Sequence, residues 1–216
     1  MAQTGQGIGE KVWHDMMELF QNPASPFARK VRVLLHETGQ QDAVRVVTIT
    51  ANPVAGSSAS AVNPLGKIPV LVRPEGPALY DSRVICRYLD DRAAKTLYPP
   101  SRLYDVLTLE ATADGIMEAA VLMVYEGRVR PAEKQFGDWV EAQWSKIARA
   151  LDAVEARWLS HLGGPLDMGQ VALGCALGYL DFRHADRDWR QERPGLAAWD
   201  ARFAARPAMA ATRPDA

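Results

Sequence analysis

The apolar periodicity divides the chain into a first half of mixed strands and helices and a second half of helices alone. Met16 to Phe20 reads as a short strand, broken by Asn22-Pro23-Ala24-Ser25-Pro26. Ser before Pro is a helix start, with Ser25 as N-cap and Pro26 at the first helical position. Phe27, Val31, Leu34 and Leu35 follow on one helix face, while Arg29, Lys30 and Arg32 fall largely off it. Gly39 closes this helix. Val44 to Ile49 is a second strand reached after one helix, which implies a parallel pair with a right-handed crossover. Ala51 to Ala61 is small and polar, a loop with room for a short helical turn. Val70 to Val72 and Ala78 to Tyr80 flank the turn Pro74-Glu75-Gly76-Pro77 and predict a hairpin. Asp81-Ser82 then starts a helix with Val84, Ile85, Tyr88 and Leu89 on its core face.

After Thr96-Leu97-Tyr98-Pro99-Pro100 no strand pattern returns. Leu103 to Val124 is helical. Pro131 to Leu159 is a long helix carrying Trp139, Trp144 and Trp158, read as core, and Gly163-Gly164 stops it. Asp167 caps a further helix, with Gln170 as the partner of a capping-box variant. Val171, Leu173, Cys175, Leu177 and Leu180 make it apolar on most sides, so it is the expected buried axis, with Gly174 and Gly178 allowing close helix approach. Pro194 to Phe203 is a last helix, and Ala210 to Ala216 is expected to fray. The predicted fold class is an α/β N-terminal thioredoxin-like domain followed by an all-α helical-bundle domain. Residues 1–15 are an appendage, either a native extension or a cloning remnant. Residues 16–94 form the first domain, 95–101 the linker and 102–216 the second.

The stretch Asn63-Pro64-Leu65-Gly66-Lys67-Ile68-Pro69-Val70-Leu71-Val72 joins a polar turn to an apolar strand. Proline starts a strand but does not sit in its middle, and X-Pro is where a cis peptide is accessible. A cis bond at Ile68-Pro69 leaves the Ile68 main chain outward, open to a peptide read as an added strand. The plainer alternative is an ordinary loop-to-strand proline.

Composition narrows the classes. The 216 residues carry a net charge of −1, so no broad basic face for nucleic acid is indicated. No apolar stretch approaches a membrane span. The two cysteines, Cys86 and Cys175, sit among aliphatic residues and read as core side chains in a reducing cytoplasm. His14, His36, His161 and His184 show no ligand spacing, and they read as surface or helix histidines with no metal site.

Four blocks in order carry a resemblance. Ser25-Pro26-Phe27-Ala28-Arg29-Lys30-Val31-Arg32 opens the first helix. Asn63 to Leu71 is a cis-proline segment. Asp81-Ser82 stands with Ile85 and Tyr88-Leu89, and Asp167 to Phe182 is a capped core helix. Together, over about Met16 to Arg206, they resemble the cytosolic glutathione S-transferases, of a bacterial serine type. The resemblance implies glutathione as co-substrate, with its thiol ionised and transferred to a small apolar electrophile. It implies that Ser25 is the catalytic hydroxyl, stabilising thiolate at a helix N-terminus. Ser25 also reads as a plain N-cap, and Asn22 is the alternative donor. Ile68 and Pro69 would pair with the cysteinyl unit, Lys67 would meet the glycyl carboxylate, and Asp81 and Ser82 would hold the γ-glutamyl end. Lys67 reads equally as a solvated turn lysine, and Asp81-Ser82 as a helix start.

Ser-Pro-Phe-Ala stands where a thioredoxin has C-x-x-C, so dithiol redox chemistry is excluded, and the first strand lacks an early Tyr. Met117, Val121, Val124, Tyr125 and Arg128 are candidates for the electrophile pocket, with core packing as their alternative. A homodimer is the expected assembly. Two other readings share the fold. One is a non-catalytic binding protein similar to the stringent starvation proteins, and the other is a glutathione-dependent isomerase or dehalogenase.

Overall fold

The computed structural model describes residues 16–214, so the appendage expected over 1–15 lies outside the described residues. The chain runs β1 (Met17–Gln21), α1 (Pro26–Thr38), β2 (Val44–Thr48), β3 (Ala51–Asn52), β4 (Gly56–Ser57), β5 (Val70–Val72) and α2 (Ser82–Asp91). It continues with α3 (Leu103–Val129), α4 (Gly137–Arg157), α5 (Leu159–Leu162), α6 (Met168–Arg183), α7 (Pro194–Phe203) and α8 (Pro207–Ala211). Among the described residues every strand precedes Ser82, and only helices and turns follow it.

β1 is the middle strand. It pairs parallel with β2, Met17 opposite Val44, and antiparallel with β5, Phe20 opposite Val70. The parallel pair needs the α1 crossover, as the sequence predicts. The expected hairpin is reduced to a single bridge, Leu71 opposite Leu79, because α2 begins three residues beyond Leu79. The loop after β2 forms the two-residue pair β3–β4 and then a 3₁₀ turn over Ser58–Ala61.

α1 closes at Gly39, which takes the left-handed φ of 69° that glycine adopts without a Cβ penalty, and the Gln40 N–H reaches Leu35 O at 2.8 Å. Val31, Val33, Leu34 and Leu35 are buried, but so are Arg29 and Lys30, against the reading that placed them off the core face. α1 is covered on further sides by α2, α3, α6 and α8, so the face away from the sheet is also interior. On α2 the correction runs the other way, since Val84 is 47 % exposed while Ile85 and Leu89 are fully buried.

α6 is buried along nearly its whole length and packs chiefly on α3. Gly169 permits this, since a Cβ there would lie 3.0 Å from Leu109 Cβ on α3, while Gly174 admits α7, whose Phe203 ring would lie 2.7 Å from a Cβ. α3 runs five residues past its expected end, to Val129. The long tryptophan-bearing helix starts only at Gly137 and stops at Arg157, and its Trp139 is 41 % exposed and outside the core. His184, expected near the surface, is buried, with Nε2 3.0 Å from Ala120 O. The tail is held as far as Thr212, which is fully buried, where fraying was expected from Ala210. The Arg29 guanidinium donates to Met209 O at 3.0 Å and to Thr212 Oγ1 at 3.5 Å.

Candidate functional site

Strand register alone brings three distant segments together. Phe20 faces Val70, so the β1–α1 turn with Ser25 lies beside Ile68-Pro69 at the start of β5. Leu71 bridges Leu79, with N–H to carbonyl distances of 3.0 and 2.8 Å, which sets Asp81 level with Pro69. Two helix N-termini, of α1 and α2, therefore open at the same end of the sheet. Free N–H groups and the helix dipoles favour negative charge there.

Ser25 is the N-cap of α1. Its Oγ accepts from Ala28 N at 3.2 Å, and its own N–H donates to Asn22 O at 2.9 Å. An accepting hydroxyl still has its hydrogen to donate. Asn22 has less to offer. Its Oδ1 accepts from Ala24 N at 3.0 Å and its Nδ2 donates to Ile49 O at 3.2 Å, so both ends of the amide shape the turn.

The Ile68-Pro69 peptide is cis, and so is Tyr80-Asp81. Asn63 governs the loop ahead of Ile68, a role that sequence reading missed although the residue opens the quoted stretch. It is 2 % exposed, its Nδ2 donates to Lys67 O at 2.8 Å, and its Oδ1 accepts from Leu65 N at 3.0 Å. With the Lys67 carbonyl turned inward, the Ile68 N–H and C=O have no partner among the described residues. The Lys67 side chain is exposed.

Asp81 caps α2. Oδ1 accepts from Arg83 N at 3.0 Å, and Oδ2 meets Arg83 Nη2 at 2.9 Å. Burial acts to raise its pKa, but the Arg83 hydrogen bonds outweigh it and hold the carboxyl below its ordinary 3.8. Ser82 beside it is 2 % exposed.

Behind this end of the sheet lies a buried ionic cluster with no signal in the local sequence. Lys30 Nζ, on α1, donates to Glu110 Oε1 at 2.9 Å and to the Asp114 oxygens at 2.8 and 3.0 Å, both on α3. The Tyr98 hydroxyl donates to Glu110 at 3.0 Å, and Arg83 Nε stands 3.7 Å from Asp114 Oδ2. Asp81, Arg83, Asp114 and Lys30 thus form a continuous chain of charges from the exposed cap to the interior. One ammonium serves two carboxylates. Burial opposes the charge on Lys30, but Asp114 and Glu110 overcome it and its pKa rises above 10.5. Burial pushes Glu110 and Asp114 above their ordinary values, and Lys30 only partly offsets this.

Ser25 borders a shallow depression too tight for a water molecule, lined also by Pro23, Ala24, Pro26, Arg29, Cys175, Tyr179 and Pro214. Cys175 is no nucleophile, since burial pushes its thiol up to about 11. Burial also pushes the Tyr179 hydroxyl to about 12, so it stays protonated at neutral pH. Of the expected electrophile-pocket residues, Met117 is fully buried and serves the core, because its face of α3 is covered by α6. Val121 and Val124 are half-buried against the same core, while Tyr125 and Arg128 are exposed on the last turns of α3. Tyr179, unnoticed in the apolar pattern of α6, lines the depression beside Ser25. Among the described residues no group of three His, Cys, Asp or Glu is placed to hold a metal, and no helix is long and apolar enough to cross a membrane.

The model of the glutathione S-transferase N-terminal domain matches residues 24–92, and that of the C-terminal domain matches residues 137–202. The uncharacterized GST-like protein YibF of Escherichia coli K12 is 35 % identical over 204 residues, covering 92 % of this chain and 98 % of that protein. A solved glutathione transferase family member from Pseudomonas fluorescens Pf-5, with bound glutathione, is 48 % identical. It covers 93 % of this chain and 100 % of its own, with a TM-score of 0.90. The same family member is also solved with S-(propanoic acid)-glutathione, at a TM-score of 0.86 and 48 % identity over 92 % of this chain and 100 % of its own. The segments that meet at the end of the sheet fall inside the matched N-terminal region, and the likeness runs on through the helical half: the chain belongs to the glutathione S-transferase family.

Proposed function

We propose that the protein is a serine-type glutathione transferase. It binds glutathione along the Ile68 main chain, ionises its thiol beside Ser25 and transfers the sulfur to a small electrophile. The observation that carries this reading is the Ser25 hydroxyl, which keeps its hydrogen at the α1 N-terminus beside an unpaired peptide unit at Ile68. A free thiol has a pKa of about 8.5, so little of it is thiolate at neutral pH. A donated hydroxyl hydrogen and the helix N-terminus both favour the anion, and each unit of depression is worth about 1.4 kcal/mol. The cysteinyl unit of glutathione pairs with Ile68. Asp81, held ionised by Arg83, accepts from the γ-glutamyl ammonium. Ser82 and the N–H groups opening α2 receive the γ-glutamyl carboxylate, and Lys67 meets the glycyl carboxylate. The Pseudomonas fluorescens relative supports the reading, since its S-(propanoic acid)-glutathione is a thioether of the kind this transfer forms.

The working unit in this reading is a homodimer in the cytoplasm. Exposed apolar side chains such as Val84 and Tyr104 support a subunit contact, and the two free buried thiols fit a reducing compartment. Sedimentation at twice the chain mass is the expected result.

Retention on immobilised glutathione, followed by a conjugation assay with a small electrophile, tests the function. Retention with turnover is expected. Retention without turnover for any electrophile class would leave a binding protein of the same fold, and failure to be retained would remove glutathione altogether.

A further inference from the structure

We propose that Arg29 is a positioning residue for the transfer: its guanidinium seats the first turn of α1 against the helical half of the chain and so sets where the Ser25 hydroxyl stands relative to the Ile68 main chain. This rests on the glutathione-transferase reading and adds to it a residue that acts through Ser25.

The two sides of the site are held by different parts of the molecule. Ile68 stands ahead of β5, which is fixed by its pairing with β1 and by the Leu71–Leu79 bridge. Ser25 stands at the head of α1 and is joined to β1 by a short turn. Asn22 ties the sheet end of that turn, donating from Nδ2 to Ile49 O at 3.2 Å. The helix end is tied elsewhere. Where it sits matters, because a misplacement of about 1 Å caused away from the reacting atoms can lower a rate by about a hundredfold.

Arg29 holds the helix end. Its N–H donates to Ser25 O at 3.0 Å and closes the first turn of α1. Its guanidinium is interior, the residue being 5 % exposed, and donates through Nη2 to Met209 O at 3.0 Å and through Nε to Thr212 Oγ1 at 3.5 Å. Thr212 is itself fixed, fully buried, with its hydroxyl donating to Ala208 O at 2.8 Å. On α6 the room for this group comes from Gly178, where a Cβ would lie 2.3 Å from Arg29 Nη1. The next residue, Lys30, is anchored to Glu110 and Asp114 on α3. Two consecutive cations thus pin one turn of helix in two directions, Arg29 to α6 and the 209–212 segment, Lys30 to α3.

The place of this anchor distinguishes it from one anywhere else on α1. Arg29 is one turn from the hydroxyl and lines the same depression as Ser25, Tyr179 and Pro214, which has no room for a water molecule. In packing this close, displacement of the guanidinium is passed on to the Ser25 turn, since no empty space takes it up.

The test follows ionisation of bound glutathione across pH by the ultraviolet absorbance of its thiolate, with the dissociation constant of glutathione measured by calorimetry. The buried groups of the protein do not interfere, since burial pushes the Cys175 thiol up to about 11, the Cys86 thiol above its ordinary 9.0 and the Tyr179 hydroxyl to about 12. Arg29→Met removes the guanidinium, and Gly178→Ala displaces it while leaving its charge in the chain. Each is expected to raise the midpoint of the bound thiol by about one unit, about tenfold less thiolate below the midpoint, with glutathione affinity within about threefold. Arg29→Lys keeps the charge without the fork and recovers part of the shift. In a Ser25→Ala background Gly178→Ala adds no further shift. Gly169→Ala overpacks the same helix against Leu109, so it lowers the thermal midpoint without moving the titration. Should Arg29→Met not fold, Gly178→Ala decides. An unmoved titration in Gly178→Ala overturns the inference and leaves the transferase reading intact. An equal shift in Gly169→Ala, or an additive one in the Ser25→Ala background, overturns it too, because the effect is then general loosening or the arginine's own charge. Failure of the wild type to bind glutathione, or to ionise it below the free value of about 8.5, sinks the transferase reading and this inference with it.

Discussion

The Ser25 hydroxyl accepts from the Ala28 N–H and keeps its own hydrogen, so Ser25→Ala removes a cap and a donor together. Two measurements separate the roles. The missing cap lowers stability by about 1 kcal/mol, read as a fall in the thermal midpoint. Ser25→Gly loses only a few tenths of a kcal/mol as a cap but lacks the donor equally. Turnover is therefore expected to fall in both variants by about tenfold or more, matching one lost unit of thiol pKa, while retention on glutathione changes little. A glycine variant that turns over normally would show that Ser25 is a cap and nothing more. At Asp81 the same logic runs through pH. Its carboxyl lies below 3.8 in the fold, so whatever stability it adds is complete above pH 3.8 and disappears as pH falls through the folded value.

Helices α1, α3 and α6 meet through groups that interior helices seldom carry. Removing one partner of a buried ionic cluster strands the others, so Lys30→Met is expected to destabilise by about 3–5 kcal/mol in denaturant titrations. The pH dependence has a definite sign. The Lys30 pKa is raised above 10.5, so its contribution is complete below pH 10.5 and is lost as pH climbs through the folded value. In Lys30→Met the two carboxylates, already raised above 4.5 and 3.8, lose their counterion and rise further. The variant's thermal midpoint should therefore recover as pH is lowered toward 4.5, since the folded form then binds protons that the unfolded form does not. On α6, Gly174→Ala gains up to about 1 kcal/mol of helix propensity but sets a methyl against Phe203. Overpacking of this kind costs about 1–3 kcal/mol, and a lower thermal midpoint is expected. These elements also separate what the sequence displays from what it hides. The caps at Ser25, Asp81 and Asp167 were legible because each is made within three residues of itself. The Lys30 partners were not, because they lie 80 and 84 positions away and depend on a helix pairing that α1 itself does not encode. Val84 was misplaced since one turn of apolar residues fits two neighbouring helix faces. Tyr179, which lines the depression beside Ser25, was hidden in α6, where nearly every position is apolar and no stripe points outward.

Across the whole molecule, residues 206–212 are bound to the first helix. Arg29 is 5 % exposed, and its guanidinium is held by Met209 and Thr212, about 180 positions later, while Arg206 pairs with Glu37 at 2.9 Å. Deleting 207–216 is expected to lower the thermal midpoint and reduce glutathione retention, because the start of α1 is left with a buried cation and an uncovered flank. Retention at the full-length level would contradict that. The arrangement also bears on synthesis. A ribosome adds roughly 5–20 residues per second, so the opening helix emerges on the order of ten seconds before the residues that seal it. During that interval its apolar and cationic flank is open to water and to other nascent chains, and it stays so until residues 206–212 have emerged to cover it.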